Sequence, residues 1–322
     1  MKGLPKPGKK RENPLIIPKV PFLIPSFYRT VGGIVLASFF IAFTTMMAKG
    51  LAGRFEAEEA IHPMQVSFGR FFFSAMVWTS IWFITRQKFQ PIHWGIHGGR
   101  VVFGYATSLG IFWASSLMVL ADATAISFLS PAVTLVLAMI FLGEKVRWVR
   151  WSAVAIMIVG SLILLRPGTS AFQPAALIAL AAALMGGGEA IFIKLLTRKE
   201  RLLQILFLNN LIGLVLATAL ASLVWVWPSP IQWAQLASVG FGMAGAQVLF
   251  TWSMSRADAS VIMPFIYSTL LFATLMDFWL FGDLPDFWAA VGAIIIVIGG
   301  AFLALREAMN QRNREATATS GE

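Results

Sequence analysis

Apolar residues run along this chain in ten long blocks, separated by short stretches rich in Lys, Arg, Pro and Gly. The blocks cover roughly residues 30–50, 64–85, 98–120, 122–142, 148–165, 173–196, 202–227, 232–255, 259–281 and 286–305. A helix needs about 20 apolar residues, at about 1.5 Å of rise each, to cross the hydrocarbon layer. Each block therefore predicts a membrane-spanning helix. The strands of a membrane barrel would be about 10 residues long and alternate in polarity, so a β-barrel is excluded. The predicted fold is an all-α integral membrane protein with ten transmembrane helices.

The polar stretches carry a sidedness signal. With a cytoplasmic N-terminus, the outward segments hold only Lys49, Arg54 and Arg166, whereas the inward ones hold 21 of the 25 Lys and Arg residues. Those 21 include Arg86, Lys88 and Arg100 between the second and third blocks, and Lys194 at the end of the sixth. Arg70 lies within a block. This asymmetry is the positive-inside pattern. It predicts a multi-pass membrane protein with both termini in the cytoplasm.

Composition narrows the class further. The chain is 58% hydrophobic and 12% charged, against about 45–50% and 25% for a soluble domain. A soluble enzyme and a disordered chain are both excluded. The net charge of +10 would suit nucleic acid on a soluble protein, but here the basic residues flank spans, so the lipid bilayer is the expected partner and nucleic acid is not. There is no Cys, hence no disulfide or thiolate metal site. Residues 1–29, with six Pro and seven basic residues, read as a cytoplasmic lead without a cleavable signal, and 307–322 as a cytoplasmic tail.

The two halves match at a shift of 139 residues. Gln65, Phe68 and Arg70 face Gln204, Phe207 and Asn209. Pro91, Ile92 and Trp94 face Pro230, Ile231 and Trp233. Trp113 faces Trp252, Gly143–Glu144 faces Gly282–Asp283, and Gly160 faces Gly299. Each half, 30–166 and 173–306, holds five spans. An odd number inverts the second half, and inverted repeats recur in secondary transporters with the substrate site near the midplane.

These residues resemble the drug/metabolite transporter superfamily in its ten-helix, EamA-type branch. The stretch SFLSPAVTLVLAMIFLGEKV (127–146) is similar to the end of one EamA repeat, and PFIYSTLLFATLMDFWLFGDLPDFWAAVGAIIIVIGG (264–300) to the end of the other. Asp283 departs from the Glu usual in such motifs. The resemblance implies a carrier with a central cavity lined mainly by spans 1, 3, 4, 6, 8 and 9. Similar proteins divide between exporters of amino acids or drug-like compounds and uptake permeases for metabolites such as riboflavin or S-adenosylmethionine.

Candidate chemistry lies in the polar residues inside spans. Arg70 is an anchor for an anionic or carbonyl-bearing substrate, or a structural tie to helix-end carbonyls. Asp277, at similar depth, is a candidate partner for it. Glu189 follows Gly186–Gly187–Gly188, where a thinned helix admits a ligand or another backbone. It is the first choice for binding a cation or carrying a coupling proton, with pairing to Lys194 as the alternative. Tyr105, Trp113, Gln247, Trp252 and Tyr267 are further substrate-binding candidates. Pro131, Pro264 and Gly187 are hinge candidates. Asn209 and Asn210 read as helix-to-helix ties, and Asp122 and Asp258 as N-caps.

Three motifs fail. Gly3–Lys10 has a phosphate-loop spacing without the Ser/Thr or the strand. His93 and His97, at i and i+4, have no third ligand, so no metal is expected. No cluster of His and Asp suggests an enzyme, no polar ring suggests a channel, and no cofactor is implied. The expected activity is secondary transport of a small molecule, with protons as the coupling ion.

Overall fold

The computed structural model describes residues 26–51, 59–117, 126–127, 129–143, 148–165, 174–281, 287–288, 290–299 and 301–302. Regular structure among them is helical throughout. The helices are α1 (Ser26–Lys49), α2 (Pro63–Ile84), α3 (Trp94–Leu117), α4 (Ser130–Leu142), α5 (Trp148–Leu165) and α6 (Pro174–Thr197). They continue with α7 (Leu202–Ala221), α8 (Pro230–Arg256), α9 (Ala259–Ile262), a 3-10 turn (Met263–Tyr267) and α10 (Ser268–Phe281). The last is α11 (Ala290–Gly299).

Local sequence explains the ends. Pro63 opens α2, and His62 accepts a hydrogen bond from the Met64 amide, 3.3 Å. Ser229 and Gln232 form a reciprocal capping box ahead of α8, with Pro230 in the first turn. Gly143 ends α4 at φ 65°, a left-handed position that suits glycine. Asp258 stands at the N-cap of α9, though its side chain makes no capping bond. Asp122 lies outside the described residues, as does the side chain of Asp277.

Within α1, α6 and α7, the segments Phe27–Ala48, Leu177–Thr197 and Leu202–Ala221 are long and apolar enough to cross a membrane. Helices α2, α3 and α8 are of similar length, at 22, 24 and 27 residues. The surface is inverted relative to a soluble protein. Phe83, Ile140, Phe141, Val215, Phe241 and Val297 face outward. Ser38, Ser67, Ser74, Gln65, Asn210 and Thr251 are buried with many alanines. Lipid is as apolar as leucine, so helices associate through small residues and hydrogen bonds, and large apolar side chains turn outward. The protein is a multi-pass membrane protein.

Helix α1 packs along α8, and α3 along α6. Helix α2 rests on α7 and α8, α4 on α6, and α1 on α10. These pairings bring α2, α3 and α6 around the polar residues that matter.

Candidate functional site

One face of α3 organises the site. Arg100, Gly104 and Ser108 recur every four residues and so stack on one side of the helix. Glu189, on α6, lies over Gly104. A Cβ at Gly104 would stand 2.6 Å from Glu189 Oε1 and 2.7 Å from Cδ, so only glycine leaves room for the carboxyl. One turn on, Ser108 Oγ donates to the Gly104 carbonyl, 3.0 Å, and accepts a close hydrogen bond from Arg70 Nη1 of α2. One turn back stands Arg100, whose Nη1 donates to the Ile205 carbonyl of α7, 3.4 Å. Glu189 thus lies over the turn of α3 flanked by Arg100 on one side and by the Arg70 contact at Ser108 on the other.

Burial sharpens this picture. Arg70 is 9% exposed and Arg100 1%, whereas Glu189 is half-buried. The Nε of each arginine is buried without a hydrogen-bond partner. The Arg70 guanidinium also sits 5.1 Å over the Phe71 ring. Tyr105 stacks on the same ring, 6.3 Å between centroids, with its hydroxyl buried and unpartnered. The structure thus gathers Arg70, Glu189 and Tyr105 and adds Arg100 and Ser108.

The glycines before Glu189 serve close packing in an unbroken helix. A Cβ at Gly187 would meet Val133 Cγ1 at 2.5 Å and the Thr134 amide nitrogen at 3.2 Å. Pro131 lies in the first turn of α4, and Pro264 in the 3-10 turn that separates α9 from α10. Proline suits both places because neither demands a mid-helix donor.

The remaining candidates make contacts of their own. Gln247 accepts from Asn210 Nδ2, 2.7 Å, tying α8 to α7. Tyr267 is buried with Met157, Leu270 and Ile296. The Trp252 ring lies 5.3 Å from the Arg256 guanidinium and packs on Gly33. Trp113 is half-exposed. Lys194, the alternative partner for Glu189, reaches the end of α8. It donates to the Met254 carbonyl, 2.8 Å, and to that of Ala257, stapling α6 to the end of α8.

Sequence reasoning missed two features. Arg100 was counted among loop charges because it lies at the edge of an apolar block. Its place four residues before Gly104, on the face shared with Ser108, was the available signal. Glu200 was not singled out at all. Its carboxylate accepts from the His93 amide, 2.8 Å, and from Gln204 Nε2, 2.7 Å. It also contacts His93 Nδ1 at 3.1 Å and His97 Nε2 at 2.9 Å. The third partner of the two histidines is therefore a carboxylate more than 100 residues away. Burial pushes the Glu200 carboxyl up, but these hydrogen bonds outweigh it and hold the group below the usual carboxylate range. Burial pulls His97 down, and its bond to Glu200 only partly offsets this.

Comparison with known proteins fits this architecture. The model of the EamA-like transporter family matches the chain twice, over residues 29–166 and 173–305. The chain belongs to the EamA-like transporter family. It is a small-molecule carrier of the membrane, not an enzyme. It is 29% identical to an S-adenosylmethionine uptake transporter of Rickettsia felis over 255 residues, 77% of this chain and 84% of that one. It is 30% identical to a riboflavin transporter of Rhizobium johnstonii over 227 residues, 67% of this chain and 72% of that one. A protein of known crystal structure shares the fold with a TM-score of 0.69 at 19% identity, covering 87% of this chain and 96% of that one.

Proposed function

We propose that this transporter is an inner-membrane uptake permease for a small organic metabolite of the S-adenosylmethionine or riboflavin class. It works by alternating access between two inverted five-span repeats, 30–166 and 173–306, with both termini in the cytoplasm. The carrying observation is Glu189, a half-buried carboxylate bracketed by Arg70 and Arg100 where α2, α3 and α6 meet. An intramembrane cluster of this kind is costly unless it serves a ligand or ion path.

Several features support the inverted arrangement. Five spans separate each element from its counterpart, and the pairing of α1 with α8 has its counterpart in α6 with α3. Likewise α1 with α10 corresponds to α6 with α4. A Cβ at Gly160 would meet Ile295 and the Gly292 carbonyl, and one at its repeat partner Gly299 would meet Met157 and Ile156. Gln65 exchanges two hydrogen bonds with the backbone of Val226, 2.6 and 3.2 Å. Its repeat partner Gln204 exchanges two with the backbone of Gln90, 2.8 and 3.4 Å. By the charge pattern, the first clamp lies outside and the second inside, which is what a two-fold axis in the membrane plane requires.

In this reading Glu189 takes the coupling proton from outside, the substrate enters beside Arg70, Tyr105 and Gln247, and Trp113, Trp252 and Tyr267 line the path as it closes. Pro131 and Pro264 are the hinges, and Gly187 lets α4 and α6 pack closely between them. Pro131 and Pro264 stand at the two places where the spans of the fourth and ninth blocks begin or break. The test is uptake of labelled S-adenosylmethionine and riboflavin into proteoliposomes under an imposed proton gradient. Accumulation of either supports the reading, and movement only outward against the gradient overturns its direction.

A further inference from the structure

The bracketed carboxylate leaves a charge imbalance. Arg70 and Arg100 bring two guanidinium groups to the site, and among the described residues Glu189 is the carboxylate over the turn of α3 between them. Arg70 is answered by a serine hydroxyl, and Arg100 by a backbone carbonyl at 3.4 Å. Each retains a buried Nε–H with no acceptor. Two buried cations that share one carboxylate remain undercompensated, which is costly inside a membrane. Guanidinium is a planar fork of donors matched to a two-oxygen anion.

We infer that Arg70 and Arg100 together seat a carboxylate of the transported molecule, with Glu189 between them facing the cationic part of the same molecule. This deepens the permease reading and rests on it. Arg100 becomes a specificity-determining residue. Its place one turn before Gly104, with Arg70 reaching Ser108 one turn after, sets the two arginines on either side of the turn that the Glu189 carboxyl covers. Eight residues of helix separate Arg100 from Ser108, about 12 Å along the axis. Phe71 and Tyr105, next to Arg70, offer an aromatic wall for the remainder.

The test compares two molecules that differ only in the carboxylate. Full-length protein in proteoliposomes is assayed for uptake of labelled S-adenosylmethionine, with unlabelled S-adenosylmethionine or its decarboxylated form as competitor. The expected result is that the decarboxylated form competes at least about tenfold more weakly, the loss expected when a charged hydrogen-bond partner is removed. Arg100→Gln raises KM for S-adenosylmethionine more than it lowers kcat, and the preference for the carboxylate falls toward unity. Arg100→Lys keeps part of the preference. Equal competition by the two forms in the wild type overturns the inference and leaves the permease standing, whether or not any arginine variant folds. Uptake of riboflavin, which has no acidic group, in preference to S-adenosylmethionine does the same. Uptake of neither molecule overturns the permease reading itself.

Discussion

At the residue scale, the proposed mechanism rests on the charges inside apolar spans. Arg70 and Glu189 stand out in the sequence because each interrupts an apolar run. Their relation does not, because 119 positions separate them and nothing local encodes that both meet the same face of α3. Replacing Glu189 by Gln keeps the shape over Gly104 and removes the proton-binding group. The expected outcome is a fall in gradient-driven uptake of at least about tenfold, of the size general acid–base groups contribute. Counterflow, which needs no net proton movement, should fall less. Equal rates of gradient-driven uptake in the two proteins would remove Glu189 from coupling. Gly104→Ala makes a geometric version of the same test. The new methyl would stand 2.6 Å from Glu189 Oε1, so the carboxyl must swing away. Transport should drop while the thermal midpoint changes little, because the displaced atom is the end of a flexible side chain.

At the element scale, the helices meet through small residues and polar ties, and two interfaces are open to measurement. Gly187→Ala would push a methyl to 2.5 Å from Val133 Cγ1 and 3.2 Å from the Thr134 nitrogen. Overpacking of this kind costs about 1–3 kcal/mol, and a lowered melting midpoint in detergent is the expected readout. The Glu200 cluster joins the start of α3 to the turn between α6 and α7. Both of its shifted groups bind protons less readily when folded than when unfolded. The unfolded chain therefore takes up more protons in acid, and stability must rise with pH. The His97 share is complete above the ordinary histidine value of about 6.5 and is lost as pH falls toward its depressed folded value. The Glu200 share is lost below the ordinary carboxylate value of about 4.3, through its own depressed folded value. Melting midpoints measured from pH 8 to pH 4 should decline, and Glu200→Gln should flatten the decline below pH 5. A slope unchanged by that substitution would assign the acid sensitivity elsewhere.

At the scale of the whole molecule, sidedness is the property that joins fold to transport. The natural absence of cysteine makes the protein its own background for single-cysteine labelling. Lys88→Cys, after α2, should resist a membrane-impermeant maleimide in intact cells and react once the cells are opened. Trp227→Cys, after α7, should react in intact cells. Reaction of both from one side would remove the inversion on which alternating access depends.

Helical class, membrane residence and family could be read from the sequence, because hydropathy and charge asymmetry are summed over neighbouring residues and need no knowledge of what packs where. The tandem repeat was equally legible, since Trp, Pro and Gly recur at one fixed spacing. The partners of the charges were another matter. The apolar runs place Arg100 at a span's edge and Lys194 beside a loop, yet one bonds a backbone carbonyl of α7 and the other staples α6 to α8. The two histidines looked like a ligand pair short of a third member until Glu200 came to meet them. Hydrophobic burial acts on each segment alone, whereas a buried charge is satisfied by whichever distant helix supplies the complementary atom, so those pairings were fixed only when the helices closed together.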